Sequence, residues 1–572
     1  MMKSIFLLLL LPFFAGAIFF INKPARTSFV STNADNIAVC GPVSYGDINL
    51  NEGGKFVVPL PGWGKYSYPV SHTADSAQFY FDQGLNMYYG YHFKESLASF
   101  KEAARIDPSC LMAYWGQALA MGPYYNAAHT YTMPAAVQPV LQRMKELAPA
   151  APAKEKDLAA VMERRYSSDL TDSRRKELNA AYASGLRDLI SQYPQDEEIK
   201  ILYVDAVMLM HAWDFWNQDG TAKAWTNELV SLSEKVLKTN PDHPAALHYH
   251  IHLTEASHHP EVALPNADKL KNLLPGIAHM VHMASHEYQR NGLYAQGVEV
   301  NDLADGNLLK YDSLAKNLSL NKHSAHYFGV QTYCAMSGGM YDAGMRAALR
   351  TRNSVMPSYE NTYDQYLYML PVLTRVRLGK WSEILEDSSK IDRKWLFAGL
   401  LDHFSKGMAF VNTGKAQLAK DHLTQLREKI KDPVLLKRRI PFNAPLPVAK
   451  IAEGILNSAI LFSENKHDAA IASLEEAIKI EDGLIYTEPN DWPVPARQFL
   501  GAYLLKMRKP ALAEKVYRED LILNPVNGWS SLGLYQSLEA QKKRKDLAKY
   551  KRQYTAAFSN ADEIPRGSVY MR

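Results

Sequence analysis

Eleven of the chain's 18 histidines fall between His243 and His326, and their spacing carries more information than their number. His248 lies seven residues after Pro241, and His282 seven after Pro275. His252 and His286 each lie eleven after the same prolines. Each pair is i, i+4, so on a helix both rings share a face. His279 sits one turn before His282, and Glu255 one turn after His252, on that face again. Farther on, His323 and His326 repeat an i, i+3 step. Aligning Tyr341 with Tyr294 puts His326 at the offset of His279, after a 13-residue insertion. Imidazoles from helices packed about 8–10 Å apart can reach one ion at about 2.0–2.1 Å. The candidate ligands are His248, His252, His279, His282, His286, His323 and His326, enough for one metal ion or two where their helices line one wall.

Ligand type narrows the ion. Imidazole with at most one carboxylate suits Zn²⁺, Cu²⁺, Fe²⁺ or Ni²⁺ and disfavours Ca²⁺ and Mg²⁺. Glu255 is the carboxylate best placed to serve as an acid or base, with Tyr249, Asp214 and Arg290 as candidate outer partners. Cys334, two turns after His326, reads as a small core residue rather than a soft ligand. His250 points about 200° round the helix from His248 and falls outside the set. His243, His258 and His259 follow turns and read as surface residues. A competing account keeps the same histidines as the lining of a metal-free polar groove.

Several chemistries lack their motifs. His286-Glu287 is followed by Tyr-Gln-Arg, so the His-Glu-x-x-His helix of metalloproteases is missing. The chain has no Gly-x-Ser-x-Gly, no Gly-x4-Gly-Lys-Ser/Thr and no Gly-x-Gly-x-x-Gly, so no nucleotide cofactor is expected. Lys+Arg exceed Asp+Glu by only four, which argues against nucleic acid as a partner.

The elements that must hold the histidines are helical hairpins. From Ala77 onward amphipathic helix pairs dominate and strand alternation is rare. In the first pair, Gly84 is followed by Ser96, Phe100 and Ala103, closed by Asp107-Pro108. Small residues let two helix backbones approach, and the aromatic ring fills the gap between them. The frame returns as Gly501, Ala513, Tyr517 and Pro525, with Trp529, Leu532 and Gly533 opening a further unit. Pro241 and Pro275 stand 34 residues apart. Further pairs are expected around 155–190, 196–239, 277–306, 319–352, 361–388, 396–430 and 446–480. Such units cannot bury their apolar faces alone, and stacking joins them into one core.

On these residues the chain resembles the tetratricopeptide-repeat (TPR) family, whose period is 34 residues. The resemblance implies an all-α, TPR-like helix-hairpin solenoid, a right-handed superhelix with a concave inner wall. It also implies that the histidine offsets belong to the first helix of each unit and face that wall, which is what would bring the candidate ligands together. The order of several motifs is similar to a group of exported bacterial TPR proteins rich in histidine. These are Phe81-Asp-Gln-Gly-Leu85, Ala113-Tyr-Trp-Gly116, Trp213-Asp-Phe-Trp216, His248-x3-His252, His282-Met-x-Ser-His286, Tyr486-x-Glu-Pro489 and Asn527-Gly-Trp529.

At the N-terminus, Lys3 precedes an apolar run from Ile5 to Ile21, the pattern of an export signal. Ala15-Gly16-Ala17 offers a cleavage point, yet Ile18 to Ile21 prolong the run, so residues 1–22 read as a signal peptide or an N-terminal membrane anchor. Residues 23–76 read as an irregular leader, 77–355 as the N-terminal and central units with the histidines, and 356–572 as the C-terminal units. In an oxidising compartment Cys40 and Cys110 either pair or stay separate thiols. Tyr486, Glu488, Trp492 and Arg497 mix aromatic and charged groups and read first as interhelix packing, second as a pocket. The functional expectation is an exported (periplasmic or secreted) protein that binds a peptide, protein or small molecule in its groove, with a transition metal in the central units. One alternative makes that metal catalytic, in a hydrolase or oxidoreductase; the other is a metal-free interaction scaffold.

Overall fold

The computed structural model describes residues 37–38, 48–127, 131–440 and 442–572. The N-terminal apolar run and Cys40 lie outside the described residues. The structure is an all-α, TPR-like helix-hairpin solenoid. Its first part holds α1 (Asp75–Tyr89), α2 (Phe93–Ile106), α3 (Leu111–Ala120), α4 (Val137–Leu147), α5 (Ala153–Glu163), α6 (Arg175–Gln192), α7 (Glu197–Met210) and α8 (Thr226–Thr239). The centre holds α9 (Pro244–Thr254), α10 (Leu264–Leu273), α11 (Ala278–His282), α12 (Ala284–Arg290), α13 (Tyr294–Leu314), α14 (Ala325–Ser337) and α15 (Tyr341–Asn353). Next come α16 (Thr362–Tyr368), α17 (Leu370–Arg377), α18 (Trp381–Leu385), α19 (Leu396–Asn412), α20 (Ala416–Ile430) and α21 (Val434–Lys437). The chain ends with α22 (Pro445–Ser463), α23 (His467–Asp482), α24 (Ala496–Lys506), α25 (Pro510–Leu523), α26 (Gly528–Ala540) and α27 (Leu547–Ala557). Sequence neighbours pair as hairpins, among them α1 with α2, α14 with α15, α19 with α20 and α22 with α23. The one sheet among the described residues joins β1 (Ile37–Ala38) and β2 (His323–Ser324) in parallel.

The glycine pattern explains how the hairpins close. Phe100 of α2 lies between Gly84 of α1 and Gly116 of α3; a Cβ at Gly116 would stand 2.3 Å from Phe100 Cδ1, and one at Gly84 2.9 Å. Tyr517 of α25 repeats the arrangement between Gly501 and Gly533, where a Cβ would stand 2.3 and 2.2 Å from its Cζ. Both rings are fully buried, so neither can give way cheaply. Gly116→Ala should therefore destabilise the fold by about 1–3 kcal/mol through overpacking. Gly306 of α13 is a control, since nothing lies within 4 Å of its added Cβ. There Ala should stabilise by about 0.5–1 kcal/mol through helix propensity. Urea unfolding of the two variants measures both signs; a neutral Gly116→Ala would contradict the packing account.

The apolar core is not one body, as stacking alone would suggest. The largest cluster runs from Ile48 to Tyr327 and the second from Ala325 to Tyr550, with two small ones beside them. They change over at α14, which buries polar His326, Gln331 and Thr332 among its apolar residues. Helix α22 is long and apolar enough to cross a bilayer by length and composition; half of that stretch is buried, and it packs on α19, α20 and α23. The described leader residues ahead of α1 are held by polar side chains of the first hairpin. Leu60 N donates to Gln83 Oε1 at 2.8 Å and Tyr68 N to Asp82 Oδ1 at 3.1 Å.

Candidate metal centre

Two helix starts place the histidines. Helices α9 and α11 begin at Pro244 and Ala278, in the same 34-residue register as the prolines before them. Pro244 suits the first helical position, where a missing N–H costs nothing, and His243 Nδ1 accepts from Ala246 N to cap α9. Helix α9 then presents His248 and His252. Helices α11 and α12 form one helical stretch interrupted at Met283, and present His279, His282 and His286.

The six imidazoles form two triads. In the first, His248 Nε2 lies 3.1 Å from His252 Nε2 and 3.1 Å from His279 Nε2. In the second, His282 Nε2 lies 3.0 Å from His286 Nε2, and a ring nitrogen of His326 comes within 4.8 Å of both ligand atoms. The second triad repeats the first one hairpin along. His282 and His286 follow His248 and His252 by 34 residues, whereas His326 follows His279 by 47. The extra residues are taken up by the 21-residue α13, against 10 in α10, and by the connection after it. Repeat-equivalent rings of His252 and His286 are 6.4 Å apart.

The outer ring nitrogens of His248, His252 and His282 are committed elsewhere, and this decides what their inner ones offer. His248 Nδ1 donates to the Tyr89 carbonyl at 2.7 Å, so its Nε2 carries the lone pair. His282 Nδ1 donates to Asn301 Oδ1 at 2.6 Å. That amide is oriented because Asn301 Nδ2 donates to the Gly297 carbonyl at 2.7 Å. His252 Nδ1 meets Glu488 Oε1 at 2.9 Å and Glu255 Oε1 at 3.3 Å. Glu255 Oε2 lies 3.5 Å from His286 Nδ1 and has no hydrogen-bond partner. One lone pair accepts one good hydrogen bond, but His248 Nε2 faces two nitrogens at 3.1 Å. A cation among the three satisfies both contacts together. With metal–nitrogen bonds of about 2.0–2.1 Å, these separations correspond to N–metal–N angles of roughly 90–100°.

Burial sets the charge of the cluster. All six rings are buried, His326 the least at 8% exposed. Burial, reinforced by neighbouring imidazoles, holds His248, His279 and His282 well below the usual histidine range. The same causes bring His286 to about 3 and His326 to about 4. These five are neutral at neutral pH, the form a metal ligand needs. Burial and the adjacent Glu488 push Glu255 well above the carboxylate range. Burial also opposes ionisation of Glu488, but His252 and Glu255 outweigh it and hold Glu488 well below that range. One carboxyl of the pair is thus protonated and the other charged.

Aromatic rings close the site. Tyr91, at a left-handed φ of 56° between α1 and α2, has its ring 4.8 Å from both His248 and His279, and its buried hydroxyl has no partner. Tyr327 stacks on His282 at 4.2 Å. Tyr125 lies 5.0 Å from His252 and carries Trp213 stacked on it at 4.1 Å.

Other expected residues fall elsewhere. His323 does not join the cluster: helix α14 begins only at Ala325, capped by Ser324, and His323 Nδ1 pairs with Asp305 Oδ1 at 2.9 Å from a half-exposed position. His243 is fully buried rather than superficial, because its cap role draws it under the helix, where Nε2 lies 3.6 Å from Glu198. His258 is half-buried and His259 exposed. His250 faces Asn266 and Glu234, away from the triads. Asp214 is half-exposed and pairs with Lys223 at 3.2 Å, outside the centre. Tyr249 is buried next to His248, its ring 5.3 Å away. Arg290 anchors the chain after α9 by donating to the carbonyls of Glu255 and Ser257 at 2.9 and 3.0 Å. Cys334 is buried core, its Sγ against Gly297. Glu488, Asn301 and Tyr91 were not expected; of these only Glu488 stood in a motif noted in the sequence, Tyr486-x-Glu-Pro489. A separate pair, His403 and His422, meets through Nδ1 at 3.0 Å without forming a ligand group of three among the described residues.

No protein-family model and no curated protein matches the chain. Solved structures similar to it include a human IFIT1 dimer with m7Gppp-AAAA, at 12% identity and a TM-score of 0.34, covering 86% of this chain and 96% of that one. Yeast Tom70 matches at 12% identity and a TM-score of 0.28, covering 84% of this chain and 93% of that one. The Cut9–Hcn1 hetero-tetramer of APC/C matches at 12% identity and 0.26, covering 85% and 94%. At these scores the likeness says nothing about what this chain binds.

Proposed function

We propose that this chain is an exported metal-dependent enzyme built on a TPR-like scaffold, holding two transition-metal ions, one in each imidazole triad. The observation that carries the reading is the convergence of three buried imidazoles, twice, with three of the outer nitrogens held by Tyr89, Asn301 and the Glu255–Glu488 pair. Three protein ligands rather than four is the arrangement that leaves a coordination position for water or substrate. Imidazole donors without thiolate favour zinc, copper, iron or nickel. Export rests on Lys3 and the apolar run behind it.

Elemental analysis of untagged protein, followed by reloading with Zn²⁺ or Cu²⁺, tests the reading; about two ions per chain are expected, one per triad. A Co²⁺-loaded form should change its visible spectrum when azide is added, because azide takes the open position. Protein that binds no metal after reloading would remove the centre and leave a polar groove. Metal whose spectrum ignores azide would make the ions structural.

A further inference from the structure

A cleft of about 700 Å³ lies apart from the triads. It lies where the end of α17, the start of α13 and the end of α14 meet the connections after α23 and α25. Three arginines line it. Arg290 is saturated by the carbonyls of Glu255, Ser257 and Leu523 and by Asn524. Arg497 makes a two-pronged pair with Asp482. Arg377 is different: it is 94% buried, and among the described residues it makes no side-chain hydrogen bond and no contact ion pair, the nearest carboxylate that acts on its charge being Asp520. Its guanidinium rests on the Trp529 ring, 4.1 Å from the centroid.

An arginine cannot shed its charge to escape such a place. Burial brings Arg377 down only to about 10, so it stays a cation at neutral pH. A buried charge without a contact partner is costly, and the cation–π contact with Trp529 and the more distant charge of Asp520 offset only part of that cost. No acidic group of the cleft makes a contact ion pair with it, and Asp520 acts on it only from a distance. Asp482 belongs to Arg497. Burial raises Glu481 and Asp491 each to about 8, so both are largely protonated. Asp520 accepts from the Ser530 hydroxyl and from Asn524.

We infer that this cleft binds a ligand through a carboxylate seated on Arg377, with the body of the ligand against Tyr294, Tyr333, Tyr486 and Trp492. A planar guanidinium fork matches a carboxylate in two-pronged fashion, and the volume suits a small organic acid or the last residues of a peptide. The aromatic wall favours an apolar body beside the charge. A dianion is disfavoured, because Asp520 lines the same space. The inference stands on the cleft alone and survives loss of the metal reading.

The test uses the whole protein, benzoate, and the tripeptide Ala-Phe-Phe as free acid and as C-terminal amide. In the ligand-free state Arg377→Met should melt higher than the unchanged protein, since it removes an unpaired buried charge. At millimolar concentrations an acid should raise the melting temperature of the unchanged protein and leave Arg377→Met unmoved. By calorimetry the free-acid peptide should bind at least about tenfold tighter than its amide, as expected for a charge-assisted contact. Tighter binding of benzoate than of the peptide assigns the site to small acids; the reverse assigns it to peptide ends. The inference is overturned if Arg377→Met melts lower, which would make the arginine structural. It is overturned equally by acid and amide binding alike, or by neither acid binding.

Discussion

Changing His282 to Ala is expected to lower the metal content from two ions per chain to one, and changing His248 to Ala to do the same in the other triad. Each of these rings contributes the Nε2 that lies within 3.0–3.1 Å of a neighbour in its triad, and each is oriented by one outer acceptor, Tyr89 or Asn301. Removing it leaves two imidazoles, too few to hold an ion against competing chelators. The other triad keeps its ligands, because no imidazole belongs to both. His323→Ala is the control and should leave both ions in place, since that ring pairs with Asp305 instead. Elemental analysis together with far-UV circular dichroism separates loss of metal from loss of fold. If a folded His282→Ala protein loses both ions, the triads are one shared centre rather than two.

Replacing the carboxylates should distinguish the triads by affinity. Of the clustered imidazoles Glu488 hydrogen-bonds only His252, whereas Glu255 lies 3.3 Å from His252 and 3.5 Å from His286. A carboxylate behind a ligand histidine fixes the ring and makes it a better donor, and its loss lowers metal affinity by about 10–100-fold. Glu488→Gln should therefore weaken the first triad by about that factor and the second by less, because the Glu488 charge reaches His282, His286 and His326 without a hydrogen bond. Glu255→Gln replaces a group already held protonated and should weaken either triad less than Glu488→Gln does. Competition titrations with a chelator, run on the single-triad proteins His248→Ala and His282→Ala, resolve the two sites. A loss with Glu255→Gln as large as with Glu488→Gln would show that Glu255 is charged in the folded protein.

Four of the six clustered rings were readable from the linear order of residues. His248, His252, His282 and His286 recur at a fixed offset from two prolines 34 residues apart, and a helix converts that offset into a shared face. His279 followed by its one-turn spacing, and His326 by alignment across the insertion. His323 was misplaced because spacing cannot say where a helix begins; Ser324 caps α14 and leaves His323 outside it. The buried cap role of His243 escaped for the same reason, since a turn residue looks alike whether its ring faces water or the helix end.

The hairpin architecture is a local matter. The 34-residue period and the glycines facing Phe100 and Tyr517 act between neighbouring helices, so composition and spacing reveal them. The division of the histidines into two triads, the carboxylate pair behind them and the unpaired Arg377 depend on contacts between distant segments. Glu488 meets His252 across 236 residues, and Arg377 meets Trp529 from a different hairpin. Such meetings are set by how successive hairpins stack, which accumulates small rotations that no short stretch of sequence records. Burial then does the rest: it holds five of the six imidazoles neutral and lowers the guanidinium without discharging it, and only the folded chain can decide which groups it covers.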